Sequence, residues 1–557
     1  LMLRSPPQEA PLNGTCIMAN LPCCYKVRLR WRQTVFRMAC QMLIHGPAML
    51  PDQGFGLWLT SHATGYLVML KTTLVPRAIN GKPQIMKLDH FYINGEFVKP
   101  STTEFMDVIN PYTEESIASV ALGAAEDVDK AVVAARDAFA VTSAFSKEDK
   151  MEILQTLITI YKRRFDDIAE AIRLEMGAPK KLAGGAQTVV GLNHLKTALR
   201  VLESYHFEYP HGGYIVREEP IGVCGLITPW NWPINQMVSK LAPSIASGCT
   251  VILKPSEIAP LSGMLIAEII HEAGLPAGAF NLVNGTGPVV GEAMSAHPGI
   301  DMMSFTGSTR GGIAVATASA RTVKRVSQEL GGKSPNIILD DEQFSQSVTN
   351  GVDNVMGNTG QSCNAPTRML VPAHRHDEAL EIAKTTAEKI TVGNPELDET
   401  EVGPLVSQAQ FEKVQNLIET GIKEGATLVT GGTGRPEGLN KGYFARPTVF
   451  GHVENDMTIA REEIFGPVLA VISYNDLDDA VAIANDTDYG LAAYVTGKDT
   501  DTITEIGRRL RAGQIHLNYG SAGANAPFGG YKQSGNGREK AEWGLGEFLE
   551  IKAIMGS

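Results

Sequence analysis

From residue 86 onward the apolar and polar positions follow recognisable periods; before it no helical or strand period persists. Phe91-Tyr92-Ile93-Asn94-Gly95-Glu96-Phe97-Val98 predicts a hairpin with Asn-Gly at its turn, and Asn110-Pro111 marks another turn. Val128, Ala131, Val132 and Ala135 fall on one helical face. Ser146 with Asp149 predicts a capping box, and Met151, Leu154, Ile158, Tyr161 and Phe165 carry that helix onward. Residues 205–220 read as an extended ribbon turning at Gly212-Gly213. From Ile221 the pattern becomes strand, turn, helix, repeated. Val223-Cys224-Gly225-Leu226-Ile227, Thr250-Val251-Ile252-Leu253 and Phe280-Asn281-Leu282-Val283 are buried-strand candidates, and 263–273 reads as a helix stopping at Gly274-Leu275-Pro276. Such alternation predicts a parallel sheet covered by helices, with ligands at the carboxyl ends of its strands. After Gly332 the alternation resumes through Asn336-Ile337-Ile338-Leu339, a helix, a loop holding Cys363, and Arg368-Met369-Leu370-Val371. A second α/β domain is expected there, facing the first across a cleft.

Composition narrows the classes. At 557 residues the chain is long enough for two or three domains. A hydrophobic fraction of 43% and a charged fraction of 20% describe an ordinary globular protein. The formal net charge of −12 argues against a nucleic-acid footprint, and no apolar run is long enough for a transmembrane helix. Seven cysteines are too few and odd in number for a disulfide framework, so a reducing, cytoplasmic compartment is expected. Residues 1–85 differ from the rest: Cys16, Cys23, Cys24 and Cys40 lie there, and Glu9 and Asp52 are outnumbered by Arg and Lys. The segment reads as upstream sequence translated ahead of the true start, or as a transit segment, which would make the protein mitochondrial. Its Cys and Pro content and weak amphipathicity favour the first reading.

Candidate chemistry centres on Gly360-Gln361-Ser362-Cys363-Asn364, a thiol on a Gly-bounded loop, and Gln328-Glu329-Leu330-Gly331-Gly332-Lys333, a carboxyl before a Gly-Gly break. A thiolate can attack a carbonyl, and a carboxylate can activate the water that later frees the product. Taken singly, a buried apolar cysteine and a helix-end glutamate are the commoner readings. Order changes those odds. Thr228-Pro229-Trp230-Asn231-Trp232-Pro233, Leu253-Lys254-Pro255-Ser256-Glu257, Phe305-Thr306-Gly307-Ser308-Thr309, Glu463-Ile464-Phe465-Gly466-Pro467 and Pro527-Phe528-Gly529-Gly530-Tyr531-Lys532 accompany them. In this order the set resembles the NAD(P)-dependent aldehyde dehydrogenase superfamily, in its hydrolytic, non-acylating branch, from about residue 86 to the end.

The resemblance implies an α/β protein. A Rossmann-like cofactor domain would comprise 86–204 and 221–331, and a second α/β catalytic domain 332–539. A small β oligomerisation element would comprise 205–220 and 540–557. It implies Cys363 as nucleophile, Glu329 as the base that activates water, and Asn231 with the Cys363 N–H as oxyanion donors. Glu329 favours release of a free acid over transfer to coenzyme A; a semialdehyde or acylating enzyme, or a non-catalytic protein keeping the fold, are the alternatives. The cofactor side would comprise Ile227, Thr228, Pro229, Trp230, Lys240, Lys254, Ser256, Glu257, Gly287, Gly307, Ser308, Leu330, Gly331, Glu463 and Phe465. No GxGxxG follows a strand; Gly285-Thr286-Gly287 with Gly291 is a near-match that an ordinary tight turn also explains. A carboxylate at Glu257 would accept from ribose hydroxyls and repel a 2′-phosphate, so NAD is expected over NADP.

Trp232, Ser362, Asn364 and Phe528 would line the substrate tunnel, and the small stretch Gly520-Ser521-Ala522-Gly523-Ala524 leaves its wall open. His374-Arg375-His376-Asp377-Glu378 holds metal-capable side chains, but a solvated charge cluster explains it, and no metal is expected. The expected partners are a small-molecule aldehyde and further copies of the chain, as a homodimer or homotetramer, with neither nucleic acid nor membrane.

Overall fold

The computed structural model describes residues 85–556 and, as backbone, the strand pair Ala78–Ile79 and Lys82–Pro83. The expectations for the rest of 1–85 lie outside the described residues.

The first sheet has seven strands. Five run parallel in the spatial order Arg325–Glu329, Met302–Thr306, Val223–Ile227, Thr250–Lys254, Phe280–Leu282, and the hairpin Phe91–Ile93 with Glu96–Val98 extends that edge antiparallel. The hairpin turns through left-handed Asn94 (φ 53°) and Gly95 (φ 81°), the primed geometry that Asn-Gly favours. Val223–Ile227 and Thr250–Lys254 are buried along their whole length, as expected of the strand candidates there, and so is Met302–Thr306, which the sequence pattern did not single out. Successive residues still divide between two cores. Cys224, Leu226, Val251 and Leu253 enter one apolar cluster; Val223, Ile227 and Ile252 enter the other. The chain leaves Val223–Ile227 for the strand on one side and later returns on the other. The crevice at the carboxyl ends beside Ile227 is therefore a topological switch point, where open α/β sheets bind ligands.

Helices flank this sheet. Ala125–Thr142 buries Val128, Ala131, Val132 and Ala135, the face read from the sequence. Lys147–Arg163 opens with the Ser146–Asp149 capping box, the Asp149 N–H donating to Ser146 Oγ at 3.1 Å and the Ser146 N–H to Asp149 Oδ2 at 3.0 Å. Pro233–Ser247 starts with proline in its first turn and stops at left-handed Gly248 (φ 97°).

The second seven-stranded sheet follows the order Thr427–Thr430, Thr448–Gly451, Val468–Tyr474, Arg368–Pro372, Pro335–Ile338, Ala492–Thr496, Gln514–Leu517. It is parallel except at the Thr427–Thr430 edge. A three-stranded sheet joins Glu208–His211, Tyr214–Pro220 and Leu549–Ile554, and its ribbon turns through Gly212 and Gly213, both at positive φ. Within 540–557 the roles divide. Helix Ala541–Glu547 buries Ala541 and Leu545 in the core beside the first sheet, and only Leu549–Ile554 joins the ribbon. Among the described residues no helix is long and apolar enough to cross a membrane.

Candidate active site

The loop carrying Cys363 is held from three sides. Helix Phe344–Met356 ends in a short turn, Gly357–Gly360, in which Asn358 (φ 53°), Thr359 (φ 58°) and Gly360 (φ 70°) are all left-handed. Such backbone costs about 1–3 kcal/mol at each non-glycine residue and persists only where surroundings fix it. Here they do. Asn358 Nδ2 donates to the carbonyls of Asn231 and Gln361, both at 3.1 Å, while its Oδ1 accepts from Gln187 Nε2 at 3.0 Å. Gln361, fully buried, accepts from the Val406 N–H at 3.0 Å. At Gly360 an added Cβ would stand 2.0 Å from the Gly466 carbonyl oxygen, so this position admits only glycine.

The loop 228–233 braces the same segment. Asn231 is buried and donates from Nδ2 to the Gln361 carbonyl at 2.9 Å; Trp232 Nε1 donates to Ser362 Oγ at 2.9 Å. An amide NH₂ carries two donors, and the Gln361 carbonyl takes one, leaving the second beside the nucleophile loop. Burial pushes the Cys363 thiol up to about 12, with the carboxyls of Glu463, Glu329 and Glu539 adding to the shift and Lys540 opposing it. At neutral pH the thiol therefore keeps its proton until a base or a cation reaches it.

Glu329 ends the strand Arg325–Glu329, with Gly331-Gly332 just beyond. An added Cβ at Gly332 would stand 2.6 Å from the Cys363 carbonyl oxygen, and one at Gly331 2.3 Å from the Glu463 carboxylate. The glycine pair thus lets strand end, nucleophile loop and Glu463 meet, with the Gly332 N–H donating to Glu463 Oε1 at 3.0 Å. Glu329 is buried and neither carboxyl oxygen has a hydrogen-bond partner. The carboxyl lies against the backbone of Gly529 and Gly537, where added Cβ atoms would approach Oε1 to 2.6 and 3.0 Å. Burial, then Glu539, drives its pKa well above the usual carboxylate range, against Lys240 and Arg538. Lys240 pairs with Glu539 Oε1 at 2.5 Å and donates to Ser304 Oγ at 3.0 Å. Its ammonium therefore belongs to a buried pair behind Glu329.

The remaining cofactor-side residues gather at the carboxyl ends of the first sheet. Ile227 and Lys254 end their strands, Gly307 and Ser308 follow Thr306, and Leu330 follows Glu329. Thr228, Pro229 and Trp230 continue from Ile227. The Thr228 N–H donates to the Lys254 carbonyl at 3.1 Å, its hydroxyl is buried without a partner, and Trp230 meets Phe465 edge-on at 5.4 Å. Lys254 Nζ lies 3.1 Å from Glu257 Oε2 and 2.9 Å from the Pro255 carbonyl; Ser256 is buried next to them. Ser308 caps helix Thr309–Ser319, accepting from the Gly311 N–H at 3.2 Å. Gly287 opens a short turn with nothing within 4 Å of where its Cβ would stand. Open backbone at a helix start, an orphaned hydroxyl and a carboxylate beside a lysine fit a dinucleotide.

On the tunnel side, Trp232 and Ser362 are joined as above, and Asn364 Nδ2 lies 3.4 Å from Tyr494 Oη. Phe528 lies under the Lys540 ammonium, 4.5 Å from the ring centre. His516 stacks on Tyr494 at 4.6 Å, and its Nδ1 lies 2.7 Å from the Gly520 carbonyl oxygen. Glu539, Lys540, Tyr494, His516 and Asn358 were not singled out from the sequence. For the first two a signal existed: Arg538-Glu539-Lys540 is a charged run soon after the Phe528-Gly529-Gly530 motif. His376, Asp377 and His452 place potential ligand atoms within 4.8 Å of one another, on residues apart from this site.

The sequence model of the Aldehyde dehydrogenase family matches residues 97–554. The 3-succinoylsemialdehyde-pyridine dehydrogenase of a Pseudomonas species is 52% identical over 467 residues, 84% of this chain and 98% of that protein. The crystal structure of a mutant of Pseudomonas syringae aldehyde dehydrogenase C with NAD+ and octanal superposes with a TM-score of 0.84 at 51% identity, covering 86% of this chain and 98% of that one. A Mycobacterium tuberculosis aldehyde dehydrogenase complexed with NAD+ gives 0.83 at 37% identity, covering 85% and 99%.

Proposed function

Since the chain belongs to the aldehyde dehydrogenase family, we propose that it oxidises an aldehyde to the free carboxylic acid with NAD, using Cys363, Asn231 and Glu329. The observation that carries this reading is the pairing of a spare Asn231 N–H beside the Cys363 loop with a buried, partnerless Glu329 carboxyl. Cys363 gives up its thiol proton to solvent, and the thiolate Sγ bonds to the aldehyde carbon as the carbonyl π pair moves to oxygen, giving a thiohemiacetal oxyanion. The second Asn231 N–H and the Cys363 backbone N–H donate to that oxygen. NAD, when bound, accepts the hydride lost from this carbon and so leaves a thioester on Cys363. Glu329 then takes a proton from water as the water oxygen bonds to the thioester carbon. The C–S bond breaks, the thiolate returns and the acid departs. In its observed position burial disfavours the charged form of Glu329, so turning toward water strengthens it as a base.

Lys254, Ser256 and Glu257 would hold the adenosine ribose, the Ser308 turn the pyrophosphate, and Glu463 with Phe465 and Trp230 the nicotinamide end. Glu257 beside Lys254 suits a 2′-hydroxyl and opposes a 2′-phosphate, which supports NAD over NADP. A reducing, cytoplasmic setting is part of the reading, from the low and odd cysteine number of the sequence. Homo-oligomer formation through the ribbon sheet is part of the reading. Strand Leu549–Ile554 lies at a sheet edge and exposes Ile551 at 72%, with Met555 beyond it at 73%, a surface that a second copy would cover. NADH release from a panel of aldehydes, with and without coenzyme A, tests the reaction. Product formation that requires coenzyme A would replace the hydrolytic step with acyl transfer.

A further inference from the structure

Lys540 is a basic residue to which the surroundings give no acidic partner, and burial works against its charge. It follows Glu539, whose backbone pairs with Phe528 across an antiparallel bridge, N–H to carbonyl at 2.9 and 2.7 Å. Lys540 and Ala541 both have left-handed backbone, φ 73° and 48°, so the chain accepts strain at the residue that turns this side chain over Phe528. The ammonium then stands 4.5 Å above the Phe528 ring, a cation–π contact, with the Gly523 carbonyl oxygen at 3.5 Å as its hydrogen-bond acceptor. Among the described residues it forms no ion pair. The nearest acid in sequence, Glu539, is already taken by Lys240 Nζ at 2.5 Å and Ser239 Oγ at 3.2 Å, and Glu542 turns toward Arg200.

The position adjoins the reaction site. Phe528, under the ammonium, precedes Gly529, where an added Cβ would stand 2.6 Å from Glu329 Oε1, and Lys540 lines a small cavity with His194 and Ser239. Burial works against the Lys540 charge, while Glu539, Cys363 and Glu329 favour it. His516 Nε2 is buried without a partner, its ring stacked on Tyr494, which in turn reaches Asn364 next to the nucleophile. Neither Glu329 carboxyl oxygen has a partner and Glu539 is paired with Lys240, so no carboxylate of this wall is bonded to Lys540. A purely alkyl tail would cover the ammonium and leave it desolvated and unpaired, which is costly. A carboxylate would pair with it in a charge-assisted hydrogen bond. The exposed stretch from Gly520 to Gly523 leaves room there, since an added Cβ at Gly523 meets nothing within 4 Å.

We propose that Lys540 selects the substrate: the site takes aldehydes whose far end carries a carboxylate, which the ammonium binds beside the face of Phe528. The proposal rests on the reading of Cys363 as the nucleophile of an aldehyde oxidation. It names a substrate class that neither the catalytic residues nor the cofactor contacts specify.

The test compares 4-oxobutanoate with pentanal, similar in length and different in charge, by kcat/KM from NADH release in the wild type, Lys540→Met, Lys540→Gln and Lys540→Arg. The wild type is expected to favour 4-oxobutanoate by about tenfold or more, the worth of one charged hydrogen bond. Both neutral variants should lower that ratio by about tenfold, mainly through KM for the carboxylate substrate, and the Arg variant should retain most of it. A lost cation–π contact alone would alter both substrates together and leave the ratio unchanged. The proposal is overturned if the wild type favours pentanal or if the ratio survives in the neutral variants. Should Lys540→Met fail to fold, the wild-type ratio and the Gln variant decide. Turnover of pentanal without preference sinks this proposal and leaves the dehydrogenase reading standing. Absence of NADH from every aldehyde removes both.

Discussion

The two carriers of the proposed chemistry are built in opposite ways. Around Cys363 the polar groups are paired: Asn358 makes three hydrogen bonds, Gln361 is fixed to Val406, and Gly360 fills a space no side chain could enter. Around Glu329 the reverse holds, for both carboxyl oxygens are buried against glycine backbone with no partner. The difference tracks what each must do. A nucleophile gains from a fixed position, because attack geometry is lost within about 1 Å. A base that acts after a covalent intermediate gains from a resting place it leaves easily. A partnerless buried carboxyl is such a place, since its desolvation favours movement toward water.

The comparison can be broken at its rigid side first. Cys363→Ala is expected to lower turnover by at least roughly a thousandfold while NAD binding, measured by nucleotide titration, persists. Retention of turnover within about tenfold would remove Cys363 from the chemistry. Asn231→Ala should reduce kcat by about 10²–10³ with little change in KM, the range for one oxyanion donor. A pure KM effect would assign Asn231 to binding. Gly360→Ala should cost about 3–5 kcal/mol in urea unfolding, through backbone overlap at Gly466 and a left-handed φ. A loss under about 1 kcal/mol would mean that the loop yields easily and is not rigid.

The pH dependence sharpens the other side. Glu329 and Cys363 are both pushed up and both act deprotonated, Cys363 before the thioester and Glu329 after it, so kcat/KM should follow the thiol and kcat the carboxyl, each rising with pH between about 6 and 9. The stability sign is opposite: a carboxyl raised on folding contributes stability below its unfolded pKa that is lost as pH rises through the folded value. Activity and Glu329-linked stability should therefore move in opposite directions, and a flat rate profile would contradict the upward shift of the carboxyl. The smallest expected effect lies at the cofactor: Glu257→Gln should relax the preference for NAD over NADP by about 3–10-fold in kcat/KM. Unchanged discrimination would take Glu257 away from the ribose.

Local features were legible in the sequence. The Asn94-Gly95 turn, the Ser146–Asp149 capping box and the buried strands each depend on neighbours within a few residues. Cys363 and Glu329 were legible because glycines bound them and their motifs stand in order with others. Lys240 was not. Its buried partner, Glu539, is 299 residues away, and nothing in the segment around Lys240 signals it. Lys540 stood in a charged run visible in the sequence, but its setting over Phe528 depends on the backbone bridge between Phe528 and Glu539. The 540–557 span divides between a core helix and a ribbon strand, a division that follows from tertiary packing of Ala541 and Leu545 rather than from composition.

The measurement closest to the central claim is rapid mixing of Glu329→Gln with NAD and aldehyde, following NADH. A fixed nucleophile and a movable base predict a fast burst approaching one NADH per active site, then slow turnover as the thioester on Cys363 waits for water. A burst and steady rate that fall together would place Glu329 before the thioester and contradict the account.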